Sequence, residues 1–166
     1  MKKLIKKKAQ KYELEFELVA AVIWQESKGN PWASRVEDDF YDRYIKNLNR
    51  ATLPGFVPSG SILSLRTEKR HRATSWGLMQ VMGETMRERG YRKNDITRLC
   101  VPAINLEYGC RFLKHLIQKS KAETYQETLK KALSAYNTGR TTHENTQYDE
   151  KILSHIFSGV YNQMFE

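Results

Sequence analysis

From Phe16 to Trp24 the chain reads Phe-Glu-Leu-Val-Ala-Ala-Val-Ile-Trp, and two residues further on stands Glu26. Val19, Val22, Ile23 and Glu26 share one face at the i, i+3, i+4, i+7 spacing, which predicts a helix with a carboxyl group at the end of its apolar side. Gly29 is a natural stop residue and Pro31 lies just past it, so the helix is expected over 16–28. Glu26 then falls in the last turn, where the helix dipole disfavours a negative charge. Burial beside apolar neighbours acts in the same direction. A carboxylic acid that keeps its proton near neutral pH can protonate a glycosidic oxygen. A solvated surface glutamate near a helix end fits the isolated segment at least as well.

The same periodicity recurs along the chain, and no segment reads convincingly as a strand. A basic amphipathic helix is expected over 2–12, with Leu4, Ile5, Ala9 and Tyr12 facing inward. Short helices are expected near 40–48 and 83–90, and longer ones over 102–120, 122–136 and 148–165, the last with Ile152, Ile156, Val160 and Met164 at helical spacing. The fold class is therefore all-α. With 166 residues a single domain over 1–166 is expected, long enough to bury a real core. Residues 36–72 break the pattern. They mix acids (Glu37, Asp38, Asp39, Asp42), aromatics (Phe40, Tyr41, Tyr44) and breakers (Pro54-Gly55, Pro58-Ser59-Gly60), and end in a basic patch, Arg66, Lys69, Arg70, His71 and Arg72. They read as an irregular insertion after the helix that carries Glu26, and long ordered excursions are often functional.

The formal net charge of +9 suits a polyanionic partner such as nucleic acid, anionic lipid or an anionic cell envelope, or simply solubility. No apolar stretch is long enough to span a membrane. Met1-Lys2-Lys3 is not followed by the apolar core of a signal peptide, because Lys11, Glu13, Glu15 and Glu17 interrupt it. Cys100 and Cys110 are expected as free thiols, with Cys110 buried. Eight helical residues rise about 12 Å, beyond the roughly 7 Å between Cα atoms that a disulfide tolerates. Two cysteines and four scattered histidines (His71, His115, His143, His155) do not make a metal site, and no cofactor is expected.

Three further segments bear on Glu26. In Ser75-Trp76-Gly77-Leu78-Met79-Gln80-Val81-Met82 a glycine precedes an amide side chain that can both donate to and accept from a sugar. In Ala135-Tyr136-Asn137-Thr138-Gly139 a phenol, an amide and a capping glycine gather at a helix end. In Asn105-Leu106-Glu107-Tyr108-Gly109 a glycine sits inside a helix, at a cost of about 1 kcal/mol against Ala, which points to close helix packing. Each segment alone is accounted for by a loop, a cap or packing.

Taken in order, Glu-Ser, Gly-Leu-Met-Gln, Asn-x3-Gly-x3-Leu and Ala-Tyr-Asn-x-Gly resemble the soluble lytic transglycosylase family, over residues 16 to about 139. The resemblance implies a lysozyme-like catalytic domain that cleaves the bond between N-acetylmuramic acid and N-acetylglucosamine in peptidoglycan, leaving a 1,6-anhydro end. By position it implies Glu26 as the single catalytic acid/base. It implies Met79, Gln80, Tyr136 and Asn137 in the substrate groove, and Ser27 beside the acid. Tyr148 aligns loosely with a tyrosine at the start of the family's closing helix. The usual Ser-x-x-Gly-Ala loop is replaced by the 36–72 excursion, with Thr74-Ser75 where Gly-Ala is usual. Ser34, Ser75 or neither therefore fills the substrate-contact role. The chain is also similar to goose-type lysozyme, a hydrolase. That group commonly has an Asp after Gly-Leu-Met-Gln-Val, where this chain has Met82. Asp38, Asp39 or Asp42 remains as a possible base for hydrolysis. A basic wall-binding module and a nucleic-acid binder using 2–11 and 66–72 are the non-enzymatic alternatives, and the second lacks an interleaved aromatic stripe. The expected partners are the glycan strand and an anionic envelope, with no specific nucleic acid, for a monomer. The expected setting is a phage endolysin held in the cytoplasm until lysis, or a virion-associated lysin.

Overall fold

The computed structural model describes residues 1–49, 52–53, 64–92, 95–139 and 147–166. The helices are α1 (Lys2–Lys11), α2 (Phe16–Ser27), α3 (Asp38–Phe40), α4 (Leu65–Arg72), α5 (Gly83–Glu88), α6 (Pro102–Lys119), α7 (Tyr125–Thr138) and α8 (Gln147–Ser158). A π-helical turn at Tyr41–Ile45 follows α3, and 3-10 segments span Ile96–Cys100 and Val160–Phe165. Strands β1 (Ser34–Val36), β2 (Thr74–Trp76) and β3 (Val81–Met82) form an antiparallel sheet in that order. The mainly helical class is as expected, while α4 and the sheet are additions to it. Two compact units result: Met1–Gly29 with Gly109–Glu166, and Asn30–Tyr108.

In the first unit α2 is the central element. Leu18 through Ile23 are all buried, and a helix apolar on every side must be enclosed. It packs against α1, α8 and the Val160–Phe165 segment. α1 turns Ile5 and Ala9 inward. The ring of Phe16 meets Tyr161 edge-on and Phe165 face-on, both at 6.1 Å. The end of α2 differs from expectation by one residue. Lys28, at φ 53, takes the left-handed cap and donates its N–H to Trp24 O at 3.1 Å. Gly29 follows at φ 82, and a Cβ there would come within 3.0 Å of Met164 Cγ. α7 begins later than residue 122, because Thr124 and Glu127 form a capping box. The helix expected over 148–165 breaks at Gly159, whose φ of 64 stops α8 before the 3-10 segment.

The second unit holds the sheet, α3, α4 and α5. Its charges overturn one expectation. Arg72 is not part of an exposed basic patch: it and Arg87 are 0% exposed. Arg72 Nε meets Glu68 Oε1 at 2.8 Å and its Nη1 meets Glu84 Oε2 at 3.1 Å. Arg87 grips both oxygens of Glu68, at 2.8 and 3.0 Å, and donates from Nη1 to Tyr91 O at 3.0 Å. Burial pushes the Glu84 carboxyl above its usual range, with Arg72 pulling the other way. α4 and α5 can approach this closely because residue 83 is glycine; a Cβ would lie 2.2 Å from His71 O. The breakers at 54–55 and 58–60 fall outside the described residues. Cys100 and Cys110 are both buried thiols, neither in a disulfide. Among the described residues no helix is long and apolar enough to cross a membrane.

Candidate active site

Within the first unit, the last turn of α2 carries Glu26 and the first turn of α8 carries Tyr148. The Tyr148 hydroxyl donates to Glu26 Oε1 at 2.5 Å. Tyr148 is 7% exposed. Burial drives its hydroxyl pKa well above the usual value, and the Glu26 carboxylate adds to the shift. Tyr136, on α7, tilts against Phe112 with ring centres 5.4 Å apart. Its hydroxyl is raised in the same way, by burial first and then by Glu26 and Cys110. Both phenols therefore keep their protons across the physiological range, and Tyr148 acts on Glu26 as a neutral donor. Beside them His155 Nε2 and Gln25 Oε1 lie 2.9 Å apart, a second tie between α8 and α2. Burial, then Lys28 and Lys151, hold the His155 ring below its usual pKa. Neutral His155 can donate to the Gln25 carbonyl.

The chemistry available here is proton transfer. A carboxyl group at a helix C-terminus, with one oxygen fixed by a phenol, is oriented to hand a proton over and take one back. Of the other expected residues in this unit, Ser27 donates from Oγ to Ile23 O at 3.2 Å, bonding into its own helix. Asn137 is exposed in the last turn of α7, just before Gly139, which closes the helix at φ 74.

In the second unit, the loop Gly77–Gln80 is fixed by one side chain. Asn105, 0% exposed on α6, donates from Nδ2 to Trp76 O at 2.7 Å and Leu99 O at 3.0 Å, and accepts from Met79 N–H at 2.8 Å. A Cβ on Gly77, at φ +70, would fall 2.5 Å from both Asn105 Nδ2 and Leu99 O. Only glycine satisfies that backbone and that space. Gln80 sits at φ 46, an uncommon place for a residue with a side chain. Its Nε2 donates to Ala33 O at 3.1 Å and to Gly77 O at 3.0 Å. Both amide hydrogens are thus taken by backbone carbonyls, one within the loop and one at Ala33 just before β1. Met79 is 0% exposed.

The serines on either side of the excursion and the acids within it also have definite places. Ser34 is exposed on β1. Ser75 donates to Glu37 Oε1 at 2.9 Å, and the same oxygen receives Arg35. Asp38 pairs with Arg70 at 3.1 Å and Asp42 with Lys46 at 3.3 Å, all on the surface. Asp39 is exposed. The role of Asn105 went unread in the sequence beyond helix packing; its signal was the Asn-x3-Gly spacing itself.

No curated protein and no solved structure matches the chain. A family model, the transglycosylase SLT domain, matches residues 3–155. That span takes in α2, the Gly77–Gln80 loop, Asn105 and Tyr136, and the chain belongs to the transglycosylase SLT domain family, lysozyme-like and built for lytic-transglycosylase-type cleavage of peptidoglycan.

Proposed function

We propose that Glu26 is the sole catalytic carboxyl group and that the reaction ends in a 1,6-anhydromuramyl product rather than in hydrolysis. The single observation that carries this is the 2.5 Å bond from the neutral Tyr148 hydroxyl to Glu26 Oε1. It aims the carboxyl group without supplying a competing charge. In the first step Glu26 gives its proton to the bridging oxygen as the bond from that oxygen to C1 of N-acetylmuramic acid breaks. The 2-acetamido group of the sugar stabilises the electron-poor C1. In the second step the Glu26 carboxylate takes the proton of the C6 hydroxyl, and O6 bonds to C1. Glu26 ends protonated, as it began, and no water is consumed. Most glycosidases need two carboxyl groups for this work; here the substrate supplies the second function. Met82 after Gly-Leu-Met-Gln-Val supports the same view, since a thioether cannot activate water. The setting proposed for the activity is bacterial lysis from within, as for an endolysin, and the charge of +9 suits an anionic wall.

Glu26→Gln should abolish release of soluble fragments from purified peptidoglycan while helix content and Tm stay near wild type. Mass spectrometry of the wild-type digest should give muropeptides lighter by one water than lysozyme products. Turnover by Glu26→Gln, or a digest containing only hydrated reducing ends, would overturn the proposal; the second result would make the protein a muramidase.

A further inference from the structure

The outer face of α1 is more cationic than its folding requires. Residues 1–12 contain six lysines and no acid. With Ile5 and Ala9 buried, the exposed arc is Lys2, Lys3, Lys6, Lys7, Gln10 and Lys11. Lys2 stands one turn from Lys6, and Lys3 one turn from Lys7. Like charges at that spacing oppose the helix. Lys2 and Lys3 also occupy the first turn, where the helix dipole repels a cation, and no acid lies there to relieve it. Three of these side chains are anchored: Lys2 Nζ lies 5.3 Å over the Phe165 ring, Lys6 Nζ 5.4 Å over the Phe16 ring and Lys11 Nζ 5.2 Å over the Tyr12 ring. Among the described residues neither Lys3 nor Lys7 pairs with a carboxylate. The nearest acid along the chain, Glu13, is held by Lys114 at 2.8 Å.

We propose that this face docks the protein onto the peptidoglycan wall through the ionised carboxylates of its peptide stems. The proposal rests on the family's substrate and not on the role of Glu26. A lipid bilayer fits less well, because the Lys2, Lys3, Lys6, Lys7, Gln10 arc has no apolar side chain to enter the acyl region. One exposed ammonium–carboxylate pair is weak. A row of them against a lattice of carboxylates adds up, and holding the wall at α1 raises the local concentration of glycan strand around the same unit. The fit is one of charge alone, so it weakens with salt.

The test is co-sedimentation on ice with sacculi stripped of lipid and of phosphate-bearing polymers. Wild type should pellet at low salt and be released by added salt. It should not pellet with sacculi whose stem carboxylates have been converted to neutral amides. Lys3→Gln with Lys7→Gln should weaken binding on the order of tenfold, from the strength a lysine has beside an anionic surface. Lys3→Arg with Lys7→Arg should bind like wild type. Circular dichroism checks the helix content of each variant; were the Gln pair to lose helix, the capped sacculi and the Arg pair still decide. Unchanged binding to capped sacculi, or wild-type binding by a folded Gln pair, would overturn the docking face. So would capture by phosphatidylglycerol vesicles without capture by sacculi. Release of soluble fragments is scored separately, so a protein that pellets but does not cut refutes the reaction and leaves the docking intact.

Discussion

At the scale of single residues, two side chains do work that their neighbours cannot replace. Tyr148 holds Glu26 Oε1 with a hydroxyl that burial keeps protonated. A hydrogen bond to a charged group contributes about 1.5–3 kcal/mol, so Tyr148→Phe should lower kcat about tenfold to hundredfold. The ring stays and the packing of α8 on α2 with it, so Tm should move little. Steady-state assays on purified glycan strands with parallel melting curves check both, and an unchanged kcat would remove Tyr148 from the reaction. Asn105 acts on the backbone instead. It satisfies the carbonyls of Trp76 and Leu99 and the N–H of Met79. Asn105→Ala leaves three backbone groups without that partner, two of them in buried bonds and one in a half-buried bond, at about 1–3 kcal/mol for each that water cannot reach. A loss of more than about 3 kcal/mol in urea unfolding is expected, with the Gly77–Gln80 loop the first to gain amide exchange.

Among the secondary-structure elements, the long helices were legible because each carries its own period and its own punctuation. α2 is apolar on all sides from Leu18 to Ile23, and α6 and α7 begin and end within a few residues of where sequence pattern puts them. The order of the motifs around Glu26, Gly77 and Tyr136 was legible for the same reason. The sheet was not. Its strands span two or three residues, and β1 is exposed at every position, so no alternation exists to be read. α4 was hidden by its charge. Leu65–Arg72 looks like a solvated basic run, yet Glu68 and Arg72 turn inward to meet Glu84 and Arg87, and pairing across sequence cannot be seen in composition. This network sets an expectation for the element pair. Arg87→Leu removes the two-pronged partner of Glu68 and leaves a carboxylate that is 3% exposed with Arg72 as its remaining ion-pair partner. Breaking a buried pair from one side costs about 3–5 kcal/mol. Denaturant unfolding should show that loss, and a double variant with Glu68→Met should recover much of it. A fall under about 1 kcal/mol would mean that water reaches the pair.

For the whole chain, the question is how two compact units share one stability. The first unit is broken in sequence: it runs from Met1 to Gly29 and resumes at Gly109. The resumption point lies inside α6, which spans Pro102–Lys119 without interruption. If the Asn30–Tyr108 unit unfolds, α6 loses the packing of Asn105 and Leu106, both 0% exposed. The remaining turns must then hold a shortened helix, whose nucleation cost is spread over fewer hydrogen bonds. The two units should therefore unfold in one transition. Nature has placed one thiol in each to report it: Cys100 in the second unit, 9% exposed, and Cys110 in the first, 0% exposed. Burial raises the Cys100 thiol pKa, with Asp95 adding to it, which slows its reaction further because the thiolate is the nucleophile. In Cys100→Ser and Cys110→Ser variants, the remaining thiol should resist a disulfide reagent in buffer and become reactive at the same urea midpoint. Reaction of Cys100 at a clearly lower midpoint than Cys110 would show that the second unit opens alone and that α6 does not couple them.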